Sequence, residues 1–184
     1  AGTAWANPLD NVVYYKTGDG NNPVSNIQPL PKGLRMIAGY ANRTDPVQDY
    51  TYGWGCNGEG KELTIPACGK GGTMKLQLKC PQCWDGKNLD SADHRSHMSY
   101  NQTVMVNGNW KALCPASNPV MLPAITYNIT WPITTDGTAG WKLASDMGQP
   151  GASAHGDYVE GLSEKLRVNM VNNCLKIGKD CGGL

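Results

Sequence analysis

The stretch CPQCWDGKNLDSADHRSHMSY, residues 80–100, gathers two of the chain's three histidines, His94 and His97, with three carboxylates at Asp85, Asp90 and Asp93. The third histidine opens a second short polar motif, HGDY, at His155 to Tyr158, and brings Asp157 with it. In a turn, residues three apart such as His94 and His97 can project to one side. A third imidazole at His155 and the carboxylate of Asp157 would then complete three or four ligands for a borderline cation such as zinc. The same groups suit metal-free acid–base chemistry, because a carboxylate beside an imidazole holds one tautomer and lets it exchange protons near neutral pH. His94, His97, His155, Asp157, Asp93 and Asp85 are therefore the candidate catalytic set, and His94, His97, His155 and Asp157 the candidate metal ligands. Against both stands plain turn chemistry, in which Asp at Asp85-Gly86 and in His-Gly-Asp caps backbone N–H groups and Gly takes positive φ.

Cys80-Pro-Gln-Cys83 has the spacing of half a zinc knuckle or of a redox pair. No second Cys-x-x-Cys completes a four-cysteine site and no βαβ pattern surrounds it, so one structural disulfide cysteine beside an extra one is the simpler reading. Six Trp and eight Tyr without a single Phe are notable, since these rings stack on sugars while their polar edges hydrogen-bond.

The elements that must position these groups read as short strands. NVVYY and GLRMIAGY are apolar runs separated by the loop TGDGNNPV, and Met74, Leu76 and Leu78 alternate with polar residues. Thr103 to Val106 and Ala124 to Trp131 are further strand candidates. Leu162, Leu166, Met170, Val171 and Cys174 recur at helical spacing, with Ser163 placed as N-cap and Glu164 in the first turn. One single domain over 1–184 is expected: an antiparallel β-sandwich or jelly-roll-like fold, mainly β, with one C-terminal helix from about Ser163 to Cys174. Twenty-three Gly and twelve Pro without a period fit many turns between short strands.

A formal charge of +1, with no run of Lys or Arg, argues against nucleic acid as the partner. No stretch approaches the ~20 apolar residues of a membrane helix. The opening AGTAWANP has neither a charged nor an apolar leader region, so a processed product is expected. Seven cysteines, with Asn-x-Thr sequons at Asn42, Asn101 and Asn128, favour an oxidising, secreted and extracellular setting and a glycoprotein. An odd cysteine count leaves at least one free or joined to another chain, and spacing does not fix the pairing.

The blocks CWDGKNLDSADHRSHMSY, CPASNPVMLPAITYNITW and HGDYVEG closely resemble, in order and spacing from Leu30 to Cys174, a family of secreted fungal and bacterial proteins catalogued as domain of unknown function nineteen ninety-six. The family pattern carries a His where this chain has Asn118, an acidic residue near Asn128, and Gly-Trp-Asp where this chain reads on to Leu162 and Ser163. The resemblance implies that Cys80, at a position usually apolar in the family, is the odd cysteine. The bridges expected are Cys56–Cys68, Cys83–Cys114 and Cys174–Cys181, the last stapling the LKIGKD tail back onto the end of the helix. A chain of this kind is expected to be a monomer, with Cys80 open to an intermolecular disulfide. The leading functional expectation is a secreted hydrolase acting on an extracellular polymer, a polysaccharide by preference, through the His/Asp centre. The alternative is a non-catalytic secreted binding or effector protein with a structural His/Asp cluster; a metal-dependent phosphodiesterase or nuclease would reuse the same histidines.

Overall fold

In a computed structural model, residues 5–18, 24–48, 51–58, 60–134, 136–180 and 182 are described. The loop TGDGNNPV falls largely outside them. Among the described residues there are eleven strands: β1 (Asp10–Lys16), β2 (Arg35–Gly39), β3 (Tyr52–Cys56), β4 (Thr73–Lys79), β5 (Cys83–Trp84), β6 (Met98–Ser99), β7 (Gln102–Val106), β8 (Asn109–Leu113), β9 (Val120–Met121), β10 (Ala124–Pro132) and β11 (His155–Val159). They are followed by the helix α1 (Glu164–Asn173). The strands join as β1-β10-β4-β3, β11-β2, β6-β5-β9 and β7-β8, and every pairing of defined register is antiparallel. The expected class, mainly antiparallel β with one C-terminal helix and disulfide staples, is the class adopted. No helix among the described residues is long and apolar enough to cross a membrane.

The chain divides into two compact units, each assembled from three separate segments. The first takes residues 1–14, 38–79 and 126–156; the second takes 15–37, 80–125 and 157–184. In the first unit, β4 alternates in burial along its length, and Met74, Leu76 and Leu78 lie inside, as the period-2 pattern requires. Trp54 of β3 is 2% exposed, donates its indole N–H to the Gly151 carbonyl at 3.0 Å and lies 6.0 Å from the Trp131 ring. The strand YGWGC was not foreseen because its glycines weaken the β pattern. Gly53 and Gly60 explain themselves here: a Cβ on either would stand 2.4 or 2.1 Å from the other's carbonyl oxygen, so the two backbones touch. Asp146 organises the loop that follows β10. It accepts from Leu143 N and Gly151 N at 2.7 Å each, and from Ser153 N and Oγ at 3.2 and 2.6 Å.

In the second unit, Leu30, Leu34, Met36, Cys83, Met121, Leu122 and Ile125 are buried. The helix begins as expected, with Ser163 Oγ accepting from Leu166 N at 3.3 Å. Its buried face differs from the expected one. Leu166 is 39% exposed, and Arg167, Met170, Val171 and Cys174 turn inward, a spacing of three, one and three that keeps to one helical face. Arg167 is tolerated inside because Nη1 donates to the Leu30 carbonyl and Nε to the Leu162 carbonyl at 3.2 Å.

Cys56–Cys68 and Cys83–Cys114 are bridged as expected, and among the described residues Cys80 is free. Cys174 is disulfide-bonded, while Cys181, its expected partner, lies outside the described residues. Cys80 is only 4% exposed, and burial pushes its thiol up to about 12, so the folded chain does not present it to another molecule.

Candidate functional site

The segment from Asp85 to Met98 is held by its own carboxylates. Asp85 Oδ1 accepts from Lys87 N and Asn88 N at 2.8 and 2.9 Å, and its Oδ2 from the Asn88 amide at 2.7 Å, a turn cap of the kind that Asp-Gly foretells. Burial opposes the charge of Asp85, yet these bonds hold its carboxyl below the usual range. Asp93 Oδ1 accepts from Ser91 Oγ, Arg95 N, Ser96 N and Ser96 Oγ, all within 3.0 Å, and these donors, Ser96 N first, hold its carboxyl far below the usual range. Both oxygens of Asp85 and Oδ1 of Asp93 thus bind the loop itself.

His94 and His97 do not share a face. His97 is 1% exposed, with Nε2 2.6 Å from the Arg35 carbonyl and Nδ1 2.8 Å from Ser91 Oγ. A carbonyl only accepts, so Nε2 carries a proton. Ser91 Oγ, which donates to Asp93 Oδ1 at 2.7 Å, is the partner of Nδ1. Both ring nitrogens are engaged, and His97 ties the loop to β2. Asn118 is buried and reinforces the same loop: its amide donates to the Ser96 carbonyl at 3.3 Å, and Ser117 Oγ donates to its Oδ1 at 2.7 Å. Asn128 lies on β10 and accepts from the Gln77 amide at 3.1 Å.

His94 faces outward. Its side chain is 60% exposed, and Nδ1 lies 2.9 Å from Asp90 Oδ1 at the i, i+4 spacing. Asp90 Oδ2 stands 3.6 Å from Arg35 Nη1, and the His94 hydrogen bond, ahead of the other influences, lowers the Asp90 carboxyl. With Nδ1 bound to a carboxylate, the tautomer is set and the Nε2 lone pair remains available. His94 also takes φ +55°, a conformation uncommon outside glycine. Arg35, Asp90, His94 and Asp157 bring charge to one pocket of about 250 Å³, whose wall includes Tyr158 and Val159. His94 and Asp157, from the two histidine motifs, thus line the same pocket as Arg35 and Asp90, while His97 and His155 do not line it.

Tyr158 is fixed behind this wall. Its hydroxyl donates to Glu160 Oε2 at 2.6 Å, Tyr15 donates to Tyr158 at 3.2 Å, and Glu160 Oε1 accepts from Leu162 N at 2.6 Å. Burial, then the bond to Glu160, pushes the Tyr158 hydroxyl far up, so it stays protonated and donating. Glu160 was not a candidate from sequence; its neighbours in HGDYVEG gave the motif its apparent chemistry. His155 belongs to the first unit and sets Nδ1 2.9 Å from the Ser153 carbonyl, so Nδ1 is the donor. Among the described residues no three His, Cys, Asp or Glu side chains are grouped as ligands for a metal ion.

Searches of curated proteins and of solved structures return no match. The family model described as Domain of unknown function (DUF1996) matches residues 5–162, most of the 184-residue chain, and the chain belongs to that family.

Proposed function

We propose that the protein is a secreted hydrolase of an extracellular polysaccharide, working at the Arg35–Asp90–His94–Asp157 pocket. The observation that carries this reading is the His94–Asp90 pair, an outward imidazole with Nδ1 held by a carboxylate at the mouth of a pocket. In that arrangement His94 Nε2 takes a proton from an attacking water and returns it to the leaving group. Arg35 faces the negative charge that develops, and Asp157 supplies a second carboxylate on the same wall. Carbohydrate is favoured over nucleic acid by the +1 charge and by surface aromatics such as Trp5, Trp110 and Tyr14, which are 79%, 58% and 42% exposed. Disulfides and the absence of a membrane-crossing helix among the described residues are consistent with an extracellular protein.

The test is release of reducing ends or acyl groups from a panel of neutral and acidic polysaccharides by the purified protein. His94→Ala should lower the rate about 10²–10⁴-fold, the range typical of acid–base groups, and Asp90→Asn should lower it as well; rates equal to wild type would refute the site. A divalent ion such as zinc held by His94 and Asp157 is the metal version of the same centre, and loss of activity on chelation would select it. The reading of the protein as a non-catalytic binder is favoured by one observation: His97, Asp85 and Asp93 all hold the loop. Sugar binding retained with no turnover on any panel member would establish that reading instead.

A further inference from the structure

Three sequons, at Asn42, Asn101 and Asn128, stand in very different surroundings. Asn128 lies inside β10, between β1 and β4, with its side-chain oxygen already accepting from Gln77 at 3.1 Å. Asn101 is half-buried, just before β7, and is engaged with a neighbour. Asn42 is exposed and occupies a reverse turn closed by Arg43 N donating to the Tyr40 carbonyl at 3.3 Å. Thr44, the hydroxyl residue of this sequon, is exposed as well, and its carbonyl accepts from Gln149 N at 2.7 Å, which pins the far end of the turn.

Two residues before Asn42, Tyr40 is 37% exposed, and the Arg43 guanidinium lies 4.4 Å from its ring centroid. That contact fixes the ring beside the turn. A pyranose presents polarised C–H groups on one face, and an aromatic face attracts them through its quadrupole while burying apolar sugar surface. We infer that Asn42 is the N-glycosylated residue of this chain and that Tyr40 is the platform on which its first N-acetylglucosamine stacks. The donor is a lipid-linked oligosaccharide diphosphate: the Asn42 amide nitrogen forms a bond to the sugar C1 and loses one proton, while the C1–O bond to phosphate breaks and the lipid diphosphate leaves.

The protein is secreted from a eukaryotic host that performs this transfer, and its glycopeptides are mapped by mass spectrometry. Occupancy at Asn42 with Asn128 bare is expected; a bare Asn42, or equal occupancy at Asn128, overturns the assignment. Glycans are then trimmed to one N-acetylglucosamine and melting is compared with Asn42→Gln. The sugar should raise Tm, on the order of 2–4 °C, and the gain should vanish in Tyr40→Leu. A gain that survives in Tyr40→Leu removes the platform role. Should Tyr40→Leu fail to fold, the same contact is read in the unsubstituted protein by NMR: sugar ring protons shifted upfield by the Tyr40 ring support it, and unshifted protons overturn it.

Discussion

Replacing His97 with Ala and, separately, His94 with Ala should give opposite results, although the two residues sit three apart in one polar motif. His97 is 1% exposed and bonded at both ring nitrogens, to the Arg35 carbonyl at 2.6 Å and to Ser91 Oγ at 2.8 Å. Losing two buried hydrogen bonds costs about 1 kcal/mol each. The space left by the imidazole adds roughly 1–2 kcal/mol, scaled from large-to-small core substitutions. A total of about 3–4 kcal/mol corresponds to a fall in Tm of roughly 10 °C in a chain of this length. His94 makes one exposed pair with Asp90, of a type that adds little to stability, and Ala at φ +55° is no better suited to that backbone than His. His94→Ala should therefore melt close to wild type while losing polysaccharide hydrolysis. Differential scanning calorimetry and the hydrolysis assay on the same three samples decide the matter. If His97→Ala melts within about 2 °C of wild type, or if His94→Ala is the more destabilised, the division into an anchor and a working imidazole is wrong.

Acid should destabilise the fold through Asp146 and Asp93, whose carboxyls are held low: for Asp146 burial opposes the charge but bonds from Gly151, Ser153 and Leu143 overcome it. A depressed folded pKa gives stability that is present above the unfolded value of about 3.9 and is lost as pH falls below it, so Tm scanned from pH 6 to 2 should drop mainly below about pH 4. In Asp146→Ala the part of that drop owed to this residue should disappear, together with about 2–4 kcal/mol of stability measured by urea unfolding, because the backbone N–H groups of Gly151 and Ser153 lose a charged acceptor. Reduction should cost about 3 kcal/mol for Cys56–Cys68 and about 4 kcal/mol for Cys83–Cys114, from sequence separations of 12 and 31, as read by urea midpoints of the single-bridge Cys→Ala pairs. Cys80 should react with an alkylating reagent only after denaturant is added, a contrast that mass spectrometry reads directly.

What the sequence revealed followed from local rules. The alternation of Met74, Leu76 and Leu78 places β4 correctly, Ser163 caps α1, and Asp85 folds its turn as Asp-Gly does elsewhere. The chemistry was harder because its partners are distant along the chain. Nothing in DHRSHM shows that His97 is plugged into the carbonyl of Arg35, 62 residues earlier, while His94 turns out to solvent. Arg35 itself sits in an apolar run, where a charged residue was the only hint of a site. HGDY read as a turn-borne motif, yet it is strand β11, and the alternation within it buries Tyr158 and leaves Asp157 exposed. Asp90 meets His94 through a non-helical loop, where no periodicity marks the pair in advance.

The interleaving of the two units bears on how the chain can fold as it is synthesised. The first unit is incomplete until residues 126–156 exist, and the second until the segment beginning at Asp157 follows. Strand β4 emerges early but waits for β10, where Lys79 meets Thr126. The two defined disulfides join cysteines much closer in sequence than that, so they can close first. A nascent chain therefore passes through a long stage in which staples are in place but strand edges are bare, the kind of species that pairs with its neighbours. Yield in a recombinant host should then depend less on final stability than on how quickly residues 126–156, and then the segment beginning at Asp157, arrive to close the first and the second unit in turn.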